Sequence, residues 1–291
     1  AAGRPFWYDQ GLERSPKRLA GRCRVVSYRR TSVADIENLA TYRRYLLKTT
    51  DLLAVRGNIA PVIAGMRAYN ARHGIPQVKP CLGPAVREIL AAVALAAVSL
   101  ADRESWGWSL VFEGMRTGFF AGVEPEGMVC LRTLPANAGK ASVMVQRQKA
   151  GLPLTQSHVE PRSESPADAV RRYFTLAAQA PTRLWVRDDG EGILAQSLPG
   201  GNLDAVEHLD APAMVAFVDG EVEAGRVREA GEVLLFYECR CSEEMISRLV
   251  ATMREPDRRR LFGDATRLEI QCPRCGREYT VARTETALDG A

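Results

Sequence analysis

Near the C-terminus two pairs of cysteines, Cys239-Arg240-Cys241 and Cys272-Pro273-Arg274-Cys275, stand thirty residues apart. One or two spacer residues let both sulfurs of a pair point at a common centre, so each pair can offer two thiolates to one tetrahedral Zn²⁺. Gly276, directly after Cys275, suits the tight turn of such a knuckle, where the backbone takes positive φ. Between the pairs, Ser242 is placed to cap a helix with Met245, Ile246, Leu249, Val250 and Met253 on one face. Pro256 is expected to end that helix, and Thr266 to Gln271 reads as a strand leading into the second pair. A unit of this make-up has too little apolar material to fold without a staple. Two other uses of the cysteines stay open. Structural disulfides of a secreted framework fit poorly with seven cysteines and no recognisable signal peptide. A redox-active Cys-x-x-Cys would open a helix, whereas Arg277 to Val281 looks extended.

The 291 residues leave room for one sizeable core besides this unit. An apolar fraction of 46% and a charged fraction of 25% are those of an ordinary globular chain. The longest apolar run, Ile89 to Leu100, is short for a bilayer span, so no membrane partner is expected, and its alanines suit a buried helix from Leu82 to Leu100. Net charge is +4, unevenly spread: residues 1–48 hold eleven Lys/Arg against four Asp/Glu. The extension 1–40 carries Arg14, Lys17, Arg18, Arg22, Arg24, Arg29 and Arg30. It reads as a remnant of an organelle transit peptide, as an arm for an acidic partner such as RNA, or as a solvated basic tail. Phe6, Trp7 and Tyr8 suggest that it packs on something, and Ser32 with Asp35 resembles a capping box opening a helix through Ile36, Leu39 and Leu46.

Further along, Tyr45 to Leu53 reads as helix or strand, and Asn58 to Arg72 as a helix ended by His73-Gly74-Ile75-Pro76, with His73 as a C-terminal cap whose positive charge would be favourable. Strand-like runs follow at Trp108–Phe112, Met128–Arg132 and Ser142–Val145, and Gly118-Phe119-Phe120-Ala121-Gly122 reads as a hairpin bend. Ser165-Pro166-Ala167-Asp168 is a helix start, with Val170, Tyr173, Phe174 and Ala177 on the apolar face. Strands are expected at Arg183–Arg187 and Ile193–Leu198, and the mixed stretch 199–238 reads as a loosely held connector. The fold class is therefore α+β: a core over 41–198, the connector, a four-cysteine zinc unit over 239–283, and a tail of 284–291. No catalytic constellation emerges. His73, His158 and His208 lie in unrelated contexts, and the isolated Cys23, Cys81 and Cys130 include, in Cys130, a small buried hydrophobe within a strand.

The pattern Cys-Arg-Cys-Ser ahead of the helix, with Cys-Pro-Arg-Cys-Gly-Arg-Glu-Tyr at 272–279, resembles the zinc domain of the heat-shock protein 33 family, the 33 kDa chaperonins. Arg44-Tyr45-Leu46 with Ala54-Val55-Arg56-Gly57, the stretch Ala169 to Arg187, and Gly192 to Pro199 resemble further segments of that family. The resemblance implies a holdase that binds unfolding client proteins without ATP. It implies one Zn²⁺ on Cys239, Cys241, Cys272 and Cys275 in the inactive state, and activation by oxidation to disulfides Cys239–Cys241 and Cys272–Cys275 with loss of the metal. An oxidised homodimer is a further expectation. Intact thiolates call for a reducing compartment, an organelle matrix or the cytoplasm. The basic arm, and Arg258, Arg259 and Arg260 between the cysteine pairs, support a second expectation: a structural zinc subunit of an RNA-containing assembly such as an organellar ribosome.

Overall fold

The computed structural model describes residues 38–100, 104–136, 140–163 and 165–283. The basic residues from Arg14 to Arg30, with Ser32, Asp35 and Ile36, lie outside the described residues. Alternation builds the first hairpin. Strands β1 (Ala40–Leu47) and β2 (Leu52–Asn58) pair antiparallel from Tyr42↔Gly57 to Leu47↔Leu52. Leu53 and Val55 of β2 enter one core while Leu52 and Ala54 enter another, the period of two expected of a strand covered on both faces. The helix expected to reach Leu46 is thus replaced there by strand. Tyr42 and Tyr45 favour a pleated, half-buried surface, and pairing on both sides of β1 overrides the local cap signal.

Helix α1 (Ala60–Arg72) carries Pro61 in its first turn and ends at His73, whose N–H reaches Tyr69 O at 3.0 Å. After a 3₁₀ turn at Pro80–Leu82, helix α2 (Gly83–Ser99) is buried without a break from Ile89 through Ala96. The segment Pro80–Ser99 is long and apolar enough to cross a bilayer by length and composition; in this fold it lies across the sheet, against β2 and the strands that follow. A second set of strands forms β3 (Glu104–Val111), β4 (Thr117–Val123), β5 (Met128–Pro135), β6 (Ser142–Lys149) and β7 (Thr155–Val159). The expected bend at Gly118–Gly122 is instead β4, paired with β3 through Gly122↔Gly107 and with β5 through Gly122↔Cys130. Phe119, Ala121 and Val123 alternate into the core, and this outweighs the turn propensity of the glycines between them.

Helix α3 (Pro166–Leu176) begins as its sequence indicates, with Ser165 Oγ accepting from Asp168 N at 3.3 Å. Strands β8 (Thr182–Val186) and β9 (Glu191–Ser197) complete one edge of the sheet. The stretch 199–238 is not loosely held. Helices α4 (Asp204–Glu207) and α5 (Ala211–Glu223) cover the outer face, where Val206, Met214 and Val218 pack on Tyr45, Leu47 and Ile193. Strand β10 (Val227–Tyr237) then runs through the middle of a ten-stranded sheet of order β7-β6-β3-β4-β5-β10-β1-β2-β9-β8. It pairs with β1 from Ala40↔Leu235 to Leu47↔Val227, and with β5 only through Phe236↔Met128 and Tyr237↔Val129, in parallel. That short parallel seam joins two antiparallel halves and delivers the chain directly to Cys239.

The C-terminal unit holds α6 (Glu243–Ala251), α7 (Glu255–Phe262) and the hairpin β11 (Arg267–Gln271) with β12 (Glu278–Ala282). Ser242 caps α6 as expected, its Oγ 3.1 Å from Met245 N. Pro256 does not end α6, which stops at Ala251; it sits in the first turn of α7, where a missing N–H costs nothing. Of the apolar face foreseen on α6, Ile246 and Val250 are buried while Leu249 is 58% exposed.

Candidate metal centre

The two cysteine pairs arrive from different directions. Cys239 and Cys241 follow the last residue of β10, and Cys272 to Cys275 form the turn between β11 and β12. Gly276 makes that turn possible at φ +85°, with its N–H on Cys272 O at 2.9 Å and Cys272 N–H on Arg277 O at 2.8 Å. All four sulfurs are buried and lie within 4.8 Å of one another. Across the pairs, Cys239 Sγ is 3.9 Å from Cys272 Sγ, and Cys241 Sγ is 3.5 Å from Cys275 Sγ. Tetrahedral Zn²⁺ with Zn–S bonds of about 2.3 Å separates its sulfurs by about 3.8 Å, so the donor set fits a metal of that kind.

Electrostatics point the same way. Four thiolates cannot crowd together without a cation, so neighbouring thiols shift one another in opposite directions. Cys272 is pulled well down by its contact with Cys239, and Cys241 is lowered by the same neighbour, whereas Cys239 is driven up by Cys130 and the thiols facing it. A shell of hydrogen bonds orients the ligands. Tyr279 Oη lies 2.9 Å from Cys241 O and 3.0 Å from its Sγ, Tyr69 Oη lies 3.6 Å from Cys275 Sγ, and Arg132 Nη1 donates to Cys272 O at 2.7 Å. Burial raises the Tyr69 and Tyr279 hydroxyls far above the ordinary phenol value, so both remain donors.

The Hsp33 protein family model matches residues 45–282, which takes in both the sheet and the cysteine cluster. The chain belongs to the Hsp33 family. Hsp33 is a family of chaperones. The 33 kDa chaperonin of Shewanella sediminis is 24% identical over 267 residues, covering 81% of this chain and 90% of its own. That of Azotobacter vinelandii is 29% identical over 155 residues, 45% of this chain and 52% of its own. The chain thus spans about half the length of that relative, and likewise 48% of the Pseudomonas syringae one. Among solved structures, the Thermotoga maritima 33 kDa chaperonin shares the Hsp33 fold with TM-score 0.58 and 16% identity, over 84% of this chain and 95% of that one.

Sequence reasoning missed several residues around the cysteine cluster. Cys130, read as an isolated hydrophobe, is buried but faces Cys239; Glu238 N–H bonds Val129 O at 3.0 Å, which sets the two cysteines side by side. Contact with Cys239, then the nearby Arg274 guanidinium, holds the Cys130 thiol below its usual value despite burial. His73 does not gain from the helix end: burial, Arg277 and Arg72 lower its pKa, which disfavours the charged cap expected of it. Among the arginines assigned to phosphate, Arg258 is buried, pairs with Glu255 and donates to Ala251 O at 3.3 Å. Arg259 also pairs with Glu255, at 2.6 Å, and Arg260 is exposed. Two of the three thus form ion pairs within α7, while Arg259 and Arg260 remain exposed.

Proposed function

We propose that this chain is an ATP-independent holdase governed by thiol oxidation, with Zn²⁺ held by Cys239, Cys241, Cys272 and Cys275 in the resting state. One observation carries the reading: four buried thiols from two separate turns converge on a single point directly after the central strand of the sheet. When bound, Zn²⁺ supplies charge neutralisation for four thiolates and a cross-link worth on the order of ten kcal/mol of folding energy to a unit this small. The chain's own residues do the rest. Tyr279, Tyr69 and Arg132 fix the two turns, and the unit rests on Tyr69, Cys130 and Tyr237 of the core.

Oxidation takes two electrons from each pair of thiolates to form one S–S bond; a peroxide accepts them, its O–O bond breaking to water. In the Hsp33 pairing this joins Cys239 to Cys241 and Cys272 to Cys275. Disulfide sulfurs no longer serve as ligands, and the unit has few buried apolar side chains to persist on alone: Ile246, Val250, Phe262, Tyr279 and Val281. Its unfolding uncovers apolar surface around Tyr69, Phe120 and Tyr237, to which unfolding clients bind. A resting state of free thiolates requires a reducing compartment. The test is to treat the reduced, zinc-loaded protein with peroxide under mild heat, and to follow zinc release and aggregation of a chemically unfolded client enzyme. Release with suppression of aggregation supports the switch. Fully oxidised, metal-free protein that leaves aggregation unchanged rejects it.

A further inference from the structure

Each cysteine pair has an arginine among its spacer residues, Arg240 in the first and Arg274 in the second, and both reach the same carboxylate. Glu124 stands at the end of β4, its N–H on Met128 O at 2.8 Å and its carbonyl accepting from Gly127 at 2.9 Å, so its backbone is fixed in the turn to β5. The side chain is 3% exposed. Its Oε2 accepts from Ser105 Oγ at 2.7 Å and lies 3.3 Å from Arg240 Nη1, while Oε1 pairs with Arg274. The Arg274 side chain is itself only 21% exposed. Space for this side chain is provided by Gly122, where a Cβ would stand 2.8 Å from Arg274 Nη2.

We propose that Glu124 is a positioning residue for the metal centre: one buried carboxylate of the core bridges both cysteine turns and sets how readily they let go of the metal. This deepens the oxidation-switch reading and rests on it. Two ion pairs from one fixed point hold the turns in mutual register, so neither pair can swing outward without drawing its arginine away from a buried carboxylate. A cleft of about 290 Å³ runs along the same seam, lined by Trp106 and Phe120 of the core and by Arg240, Pro273 and Arg274 of the turns. Movement of the turns therefore strips cover from Phe120 and at the same moment leaves Glu124 buried with Ser105 alone. A buried carboxylate without a cation is strongly unfavourable, and this draws the turns back once the thiols are reduced.

The experiment compares the full chain with Glu124→Gln, Arg240→Gln/Arg274→Gln and the triple variant, all reduced and loaded with one Zn²⁺. Release under a fixed peroxide dose is read with a chromogenic chelator, and far-UV dichroism reports the core. Glu124→Gln is expected to release zinc at least about tenfold faster, because it removes the charge that both turn arginines pair with. The double-arginine variant should match it, and the triple variant should add nothing, because the carboxylate acts only through those two side chains. A merely structural role would lower core stability and leave the release rates additive. Wild-type release from Glu124→Gln, or additive rates in the triple variant, overturns the proposal. Should Glu124→Gln not fold, the double-arginine variant decides, since Arg240 is half exposed and on the metal unit: wild-type release from it is equally fatal. Release rates are read without any client, so a wild-type protein that releases zinc but protects no client sinks the switch reading alone.

Discussion

Replacing Tyr279 by Phe removes one hydroxyl and leaves a buried ring of the same shape. In the native unit that hydroxyl is shared: Oη lies 2.9 Å from Cys241 O and 3.0 Å from Cys241 Sγ, and a phenol has one proton to give. If the proton serves the sulfur, the lost bond is to a charged ligand, which typically contributes about 1.5–3 kcal/mol. That converts to a fall in zinc affinity of about 10- to 100-fold, the usual cost of losing a partner behind a metal ligand. If it serves the carbonyl, the loss is a neutral bond of about 1 kcal/mol, felt as stability and hardly at all by the metal. The first outcome is expected, because a thiolate is the stronger acceptor and the site is closed to water, with Tyr279 only 6% exposed. Competition of the reduced protein against a chromophoric chelator measures the affinity, and thermal unfolding of the holoprotein measures the stability. Unchanged affinity with a small drop in melting temperature would refute the assignment of the proton to the ligand.

Three further outcomes are expected. Ser242→Ala removes the side-chain acceptor for Met245 N–H and costs about 1 kcal/mol, so amide exchange at Ile246 to Val250 should accelerate about fivefold while exchange in α2 is unaffected. Gly122→Ala places a Cβ 2.8 Å from Arg274 Nη2 and 3.1 Å from Cys130 Sγ; displacing them should destabilise the holoprotein by about 1–3 kcal/mol in denaturant unfolding. Leu90→Ala, at a fully buried position of α2, should cost about 2–5 kcal/mol in core stability yet leave zinc stoichiometry at one when measured on the native fraction.

What could be read in advance follows the range of the interactions concerned. The cysteine spacing, the caps at Ser165 and Ser242, the positive φ of Gly276 and the buried helix α2 are set by neighbours within a few residues. Their chemistry is local, so the sequence displays it. The rest of the site is assembled across the chain: Tyr69 and Cys275 are 206 positions apart, and Arg132 and Cys272 are 140 apart. No periodicity reports such a contact. Strand β10 was hidden for a different reason. Arg228, Glu229 and Glu232 keep much of it exposed, and a register shift opposite Arg44/Tyr45, with Gly231 at φ +119°, breaks the alternation that would have marked it. The partners of Arg258 and Arg259 were not legible because charge in a sequence does not declare its partner; Glu255 stands three and four residues away on the same helix.

The distribution of stabilising contacts explains why one chain can contain both a robust body and a part that yields. The sheet carries its own core, with Trp106 stacked on Trp108 at 5.7 Å, Tyr173 edge-on to both, and α2 sealed beneath. None of that depends on a metal. The cysteine unit, by contrast, has a two-stranded hairpin, two short helices and a handful of buried apolar side chains, so on the proposed reading a metal on its four sulfurs would supply most of its cohesion. Between them lies the parallel seam of β5 and β10, only two residue pairs long, reinforced by Tyr237 Oη, which donates to Leu131 O at 2.9 Å and accepts from Leu131 N at 3.2 Å. Loss of the sulfur cluster would free the chain from Cys239 onward, while the eight pairs that bind β10 to β1 keep the remainder in place. In the proposed switch, opening would then stop at the seam. A folded body with newly bared aromatic surface at one border is what a binder of unfolded chains needs, and a fold stabilised evenly throughout could not reach that state without unravelling altogether.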